Sequence, residues 1–313
     1  MSIPLRILFM GTPEFSVPAL QALLQGPDQV VAVVCQPDKE SGRGRKLQAP
    51  PTKILAAASG VAVLQPRSVR TPAFLEEIAA LHLDLIVVAA YGKILPGSLL
   101  RLPRLGAINI HGSLLPKYRG AAPIQWAVIN GEQETGVTIM QMDEGMDTGD
   151  ILLPVAIPID EEDTAGTMFA KLATVGGRAL LEAIARLKEG TLPPRKQDDR
   201  LATDAPMLAK ETGHLDWSQD ASRLHCLIRG LDPWPSAYGF LGENRFRFFS
   251  PQVVAGPVTA PPGTICRADR NGLLVATGRD ALLVREIQAE GKKRMDVQSL
   301  LCGLSLPVGE RFS

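Results

Sequence analysis

Along the first two thirds of the chain, apolar residues come in short, nearly unbroken runs. These are Leu5–Gly11 (LRILFMG), Val30–Pro37 (VVAVVCQP), Val61–Pro66 (VAVLQP), Asp84–Gly92 (DLIVVAAYG) and Gly106–Gly112 (GAINIHG). Runs of this kind suit strands buried on both faces of a parallel sheet. Helical patterns lie between them; in TPAFLEEIAALH, Pro72 stands near the helix start with Thr71 placed to cap it. Strand and helix in alternation predict an α/β domain with an open, Rossmann-like, mainly parallel sheet. TGVTIMQM and ILLPVAIPI add two strands able to form a hairpin, and Thr164–Gly190 predicts a long closing helix. The first domain is therefore placed at residues 1–190.

The texture then changes. From Thr191 to Gly213 the chain is rich in proline and charge and has no apolar period, as an inter-domain linker would be, and the linker is placed at 191–206. Beyond it a helical stretch, SQDASRLHCLIRGL, leads into NRFRFFSPQVVA, GTICRADRNGLLVATG and DALLVREIQAEG, with a hairpin turn signal at Asn271-Gly272. Several short strands in about 100 residues predict a small β-barrel at 207–313. A barrel with surface arginines suits nucleic acid, but this segment holds 13 Lys+Arg against 11 Asp+Glu, so charge adds only a weak hint.

Composition narrows the class. With 313 residues, two domains and a sizeable core are expected, and the formal net charge of zero argues against indiscriminate coating of nucleic acid. No run approaches the ~20 apolar residues of a membrane span, and the start, MSIPLRILFMGTPEF, lacks a cleavable secretory pattern. A cytoplasmic protein is expected. Cys35, Cys226, Cys266 and Cys302 are scattered without CxxC spacing, so they read as reduced, packed thiols and not as a disulfide frame or zinc knot.

Candidate chemistry collects at one strand end. GTPEFSVPAL, after the first run, has neither GxGxxG nor a P-loop lysine, which disfavours a nicotinamide or ATP enzyme. Ligands of open α/β sheets sit at the carboxyl ends of the strands, where Asn109, His111 and the loop Met142–Asp150 (MDEGMDTGD) are expected to converge. Asn109 and His111 are two apart and so share a face. An amide and an imidazole donating side by side, with a carboxylate fixing the imidazole tautomer, would stabilise an oxyanion on a tetrahedral carbon. No serine or cysteine is placed as nucleophile, so a substrate amine is inferred; an α-amino group with a pKa of roughly 8 is partly neutral at pH 7. The plainer readings stay open at this point. His111 and Asn109 can be hydrogen-bonded strand-end residues, and Asp143, Glu144, Asp147 and Asp150 a solvated acidic loop. A metal is disfavoured, since one His lacks a second ligand at helical spacing.

The stretch INIHGSLLPKYRGAAPIQWAVINGEQETGVTIMQMDEGMDTGDIL closely resembles the signature of the folate-dependent formyltransferases. The resemblance implies a catalytic triad of Asn109, His111 and Asp147. Its co-substrate would be 10-formyltetrahydrofolate, lying along Ser113, Leu114, Leu115 and Pro116, with Val88, Tyr91, Gly92 and Ile94 as pocket walls. MGTPEFSVPAL, QPDKESGRGRKLQAPPTK, DAPMLAKETGHLDW, IRGLDPWPSAY and EGKKRM extend the resemblance over essentially the whole chain, toward members that act on methionyl-tRNA. From those members follow a Rossmann-like catalytic domain, a linker and an OB-like barrel contacting tRNA. Initiator methionyl-tRNA is the implied partner, translation initiation the setting and a monomer the expected form. The loop Asp38–Gln48 would enter the acceptor stem through Arg43, with Arg45 and Lys46 as further phosphate contacts. Lys292, Lys293 and Arg294 are candidate phosphate contacts in the barrel.

Overall fold

The computed structural model describes residues 3–41 and 46–313, the side chains of residues 40, 41 and 46 excepted. The chain forms two compact units: Met1–Gly120, Thr135–Ile157 and Phe169–Ala205 make the first; Ala121–Glu134, Pro158–Met168 and Pro206–Ser313 make the second.

The first unit is built on a seven-stranded sheet of β1 (Arg6–Gly11), β2 (Gln29–Val34), β3 (Ala62–Leu64), β4 (Leu85–Ala89), β5 (Ala107–His111), β6 (Glu134–Gln141) and β7 (Ile151–Pro158), in the order β7-β6-β5-β4-β1-β2-β3. The pairs β1/β2, β1/β4, β2/β3 and β4/β5 are parallel, while β6 runs antiparallel to β5. All five residues of β4 are buried, as the unbroken apolar run requires of a strand covered on both faces. At the sheet edge β7, after buried Ile151 and Leu152, alternates half-buried and exposed positions and tolerates Pro154, whose missing N–H would break an inner ladder. Thr71 caps the helix Pro72–Ala79, its side chain accepting from the Phe74 amide at 3.4 Å.

The second unit contains the helices Pro123–Ile129 and Ala221–Gly230 and an antiparallel sheet of β8 (Ala237–Leu241), β9 (Asn244–Val254), β10 (Ile265–Asp269), β11 (Gly272–Ala276) and β12 (Ala281–Ala289), ordered β8-β9-β12-β11-β10. The last residues close the sheet on itself. Ser313 exchanges two backbone hydrogen bonds with Phe240 of β8, both 2.9 Å, while Phe312 N donates to Gly263 O and Ile265 N of β10 donates to Glu310 O. Inside, the Phe312 ring lies 5.2 Å from Phe248, 5.8 Å from Phe246 and 5.9 Å from Trp217.

The sequence reading divides the chain at successive boundaries, 1–190, 191–206 and 207–313, whereas the packed units interleave. Ala122 and Ile129 belong to the apolar cluster of Trp217, Leu224, Phe248 and Phe312. The residues of the expected linker are packed on the first unit, where Ile151 and Arg195 exchange backbone hydrogen bonds of 2.8 and 2.9 Å and Asp204–Ala205 pairs in parallel with Arg119–Gly120. A proline-rich segment without apolar period can be fixed through its backbone, which leaves no periodic trace.

Candidate active site

Strand β5 carries Asn109 and His111 on one face, at the carboxyl end where β4 also stops: Val88 pairs with Asn109, and Ala90 (φ 46°) and Gly92 (φ 78°) then turn into left-handed conformations that end the β4 ladder. Asn109 is half-buried and His111 is buried. The imidazole Nε2 lies 2.9 Å from the backbone oxygen of Tyr118. A carbonyl can only accept, so the neutral ring carries its hydrogen on Nε2 and leaves Nδ1 as the free edge. Nδ1 faces Asp147 Oδ1 at 3.5 Å, with the carboxylate side chain 17% exposed. That is an ion-pair separation, too long for a strong hydrogen bond. The tautomer, which the sequence reading gives to the carboxylate, is therefore held by Tyr118.

Two backbone outliers hold this arrangement. Tyr118 (φ 63°) and Asp147 (φ 55°) are left-handed, a conformation costing about 1–2 kcal/mol for an L-residue. Tyr118 is gripped by Thr203: its N–H donates to Thr203 Oγ1 at 2.9 Å, and the next amide, Arg119 N–H, donates to Thr203 O at 2.8 Å. Asp147 Oδ2 accepts the Gly120 N–H at 2.9 Å. Gly120 (φ 126°) must be glycine, since a Cβ there would stand 2.7 Å from Ala205 O; a Cβ on Gly149 would run into Gln141 O. Gln197 Nε2 donates to the backbone oxygens of Asp147 (2.8 Å) and Gly149 (2.7 Å), while its Oε1 accepts from Arg119 Nε (3.1 Å) and Nη2 (2.8 Å). Arg119, Gln197 and Thr203 are absent from the sequence reading. The only trace of the last two is that polar side chains stand in a segment dismissed as linker.

The expected pocket residues fall into two kinds. Ser113 is buried, its Oγ donating to Lys117 O at 2.6 Å; Thr138 Oγ1 donates to Ser113 O (2.7 Å) and accepts from Leu115 N–H (3.1 Å). Leu114 and Pro116 are half-buried. Val88 and the Tyr91 side chain are buried, whereas Gly92 and Ile94 are exposed. Burial and the neighbouring Cys35 push the Tyr91 hydroxyl up to about 12, and it finds no hydrogen-bond partner among the described residues, so it stays protonated in the core. The backbone of Tyr91 is the part in use here, its carbonyl accepting from Gln36 Nε2 at 2.9 Å.

Of the candidate tRNA contacts, Arg43 and Arg45 lie outside the described residues, as does the Lys46 side chain; the Lys46 backbone belongs to a short strand, Lys46–Gln48, antiparallel to Lys39–Ser41. Asp38, just before this hairpin, is tied to Lys53 Nζ (2.8 Å) and Gln65 Nε2 (2.7 Å), and these hydrogen bonds hold its carboxyl below the usual range. Lys292 and Lys293 are exposed. Arg294 is engaged inside its own unit: Nη1 donates to both Asp232 oxygens at 3.0 Å, Nη2 to Glu286 Oε2 at 2.6 Å, and the guanidinium sits 4.0 Å over the Phe249 ring.

Comparison with known proteins decides the family. Residues 5–184 match the formyl transferase family, and residues 207–305 match the formyl transferase C-terminal domain. The chain belongs to the formyl transferase family. Among its relatives is a methionyl-tRNA formyltransferase of Desulfotalea psychrophila, 60% identical over 302 residues, which cover 96% of this chain and 94% of that protein. Another, from Caldanaerobacter subterraneus subsp. tengcongensis, is 51% identical over 97% of this chain and 99% of its own length. The fold is shared with the N-formyltransferase of Helicobacter canadensis solved with folinic acid and dTDP-3-aminofucose, at a TM-score of 0.69 and 16% identity, covering 93% of this chain and all of that one. Among the described residues of this formyl transferase, no helix is long and apolar enough to cross a membrane.

Proposed function

We propose that the chain transfers the formyl group of 10-formyltetrahydrofolate to the α-amino group of initiator methionyl-tRNA, by direct attack of the amine on the formyl carbon, for translation initiation. The observation that carries this reading is the 60% identity to a methionyl-tRNA formyltransferase over 96% of the chain, because it runs through both units. When bound, 10-formyltetrahydrofolate would supply a formyl carbon to which the amine adds before that carbon's bond to the folate nitrogen breaks. Asn109 offers an amide N–H to the formyl oxygen as charge gathers there. His111 holds Nε2–H on Tyr118 and presents Nδ1 to take the amine's proton and hand it to the departing folate nitrogen, while the Asp147 carboxylate steadies the imidazolium in between. Val88 and Ile94 give apolar walls, and the backbone of Tyr91–Gly92 and Ser113–Pro116 gives hydrogen-bonding edges. Such a lining fits a flat ring system that needs both.

For tRNA, Arg43, Arg45 and Lys46 are assigned to the acceptor end, and Lys292 and Lys293 to phosphates on a barrel that serves as the tRNA-binding domain. Arg294, next in the chain, has its guanidinium spent on Asp232 and Glu286. A charged tRNA is a cytoplasmic substrate, so the reaction is placed there, with a single chain as the working unit.

The test is one assay with purified protein, 10-formyltetrahydrofolate and charged initiator tRNA, with elongator tRNA and an amino sugar nucleotide as alternatives. Formylmethionyl-tRNA is the expected product; formylated sugar alone would overturn the reading. Intact mass after mixing with the folate donor alone should show no added formyl group, and a stable formyl adduct would exclude direct transfer.

A further inference from the structure

Gln197 does more than brace a connecting segment. Its amide is fully used: both hydrogens go to the carbonyl oxygens of Asp147 and Gly149, and both acceptor positions of Oε1 are taken by the Arg119 guanidinium. Carbonyls only accept and a guanidinium only donates, so one orientation of the amide satisfies all four contacts. What these contacts join is specific. Asp147 stands, with its own backbone left-handed, in a loop whose neighbours Asp143–Met146 and Thr148 are exposed; Gly145 N–H and Thr148 Oγ1 brace that loop on Asp143, so these bonds hold its turn and not the Asp147 carboxylate. Arg119 stands between Tyr118, whose carbonyl holds His111 Nε2, and Gly120, whose N–H holds Asp147 Oδ2. A single side chain thus ties the backbone that orients the imidazole to the loop that carries the carboxylate.

We infer that Gln197 is a positioning residue for formyl transfer, setting the Asp147 carboxylate against His111 Nδ1 through Asp147 O, Gly149 O and Arg119. This rests on the reading that His111 and Asp147 handle the proton. A displacement of about 1 Å at reacting groups costs on the order of 100-fold in rate, and constellations need about 0.5 Å precision. The 3.5 Å separation leaves the pair dependent on its support.

The test uses the full chain and steady-state kinetics. Gln197→Ala should lower kcat about tenfold or more while KM for both substrates stays within about twofold, because the Gln197 amide is taken up wholly by Asp147, Gly149 and Arg119. Gln197→Glu keeps the contact to Arg119 but aims a carboxylate at two carbonyl oxygens, so it should fail equally; a strap acting only through Arg119 would be rescued by it. In an Asp147→Asn background, Gln197→Ala should add less than about twofold, since its effect runs through the group already removed. Arg119→Lys, which removes the two-pronged grip without touching Asp147, should give a smaller kcat loss and carries the test if Gln197→Ala does not fold. Wild-type kcat in Gln197→Ala or Arg119→Lys, full rescue by Gln197→Glu, or multiplying losses in the double variant would each overturn the inference. A wild-type protein that formylates no methionyl-tRNA would instead overturn the proposed function, and the positioning role with it.

Discussion

Two carboxylate pairs, Asp147 with His111 in the first unit and Asp232 with Arg294 in the second, are built differently. In the first unit, Asp147 meets His111 at 3.5 Å, is 17% exposed, and takes one backbone N–H besides. In the second, Asp232 takes Arg294 with both oxygens at 3.0 Å, its side chain 9% exposed, while the same guanidinium reaches Glu286 and covers Phe249. The first pair is left partly open beside an imidazole; the second is closed around a guanidinium that never loses its proton.

The comparison breaks most severely at the barrel closure. Phe312→Ala removes a buried ring packed on Phe246, Phe248 and Trp217 and loosens the segment that joins β8 to β10, so a loss of about 3–5 kcal/mol is expected in urea unfolding. A loss under about 1 kcal/mol would mean that the closure is ornamental.

In the first unit, His111→Ala and Asp147→Asn should each lower turnover by about two orders of magnitude or more, equivalent to about 2.7 kcal/mol of transition-state stabilisation, with folate binding nearly unchanged and, for Asp147→Asn, the unfolding midpoint nearly unchanged as well. Near-normal turnover would reduce the pair to the strand-end structure that spacing alone leaves open.

Arg294→Ala sharpens the contrast through pH. Burial pushes the Asp232 carboxyl up, and Arg294 pulls it back by attraction and hydrogen bonding. Without the guanidinium an ionised, poorly solvated carboxylate remains, at a cost of about 1–2 kcal/mol at neutral pH after discounting for the partial exposure of Arg294. A carboxyl whose folded pKa lies above its unfolded value is best tolerated protonated, so the difference between variant and wild type should shrink as the pH falls through it. His225 acts with the opposite sign in both proteins and cancels from that difference: burial and then Arg229 push it down to about 4, so it contributes stability above about pH 6.5 that is lost as the pH falls toward 4. A gap between Arg294→Ala and wild type that is constant from pH 7 to pH 4 would refute the assignment to Asp232.

The smallest effect belongs to the exposed lysines. Lys292→Ala with Lys293→Ala should leave stability within about 0.5 kcal/mol and flatten the salt dependence of tRNA binding by a slope of about 1–2, since each lost phosphate contact removes about 0.7–0.9. An unchanged slope would remove these two residues from the tRNA surface.

Where burial on two faces or alternation decides an element, the sequence already contained it. The β4 run, the Thr71 cap, the strand Ile151–Pro158, and the placing of Asn109 with His111 on one face follow from local pattern, because period and capping are properties of neighbours in the chain. The meeting of His111 and the acidic loop was legible for the same reason: a strand end at a sheet's carboxyl side is a place that topology assigns. Contacts between distant segments left no such period. Nothing local marks the Tyr118 carbonyl as the group that sets the His111 tautomer, or Gln197 as the amide that holds the Asp147 loop across 50 residues. Nothing marks Glu310–Ser313 as the closure of a barrel or Pro123–Ile129 as part of the second unit. Those assignments rest on backbone carbonyls and amides, which every residue carries alike, and only the folded chain decides which of them meet.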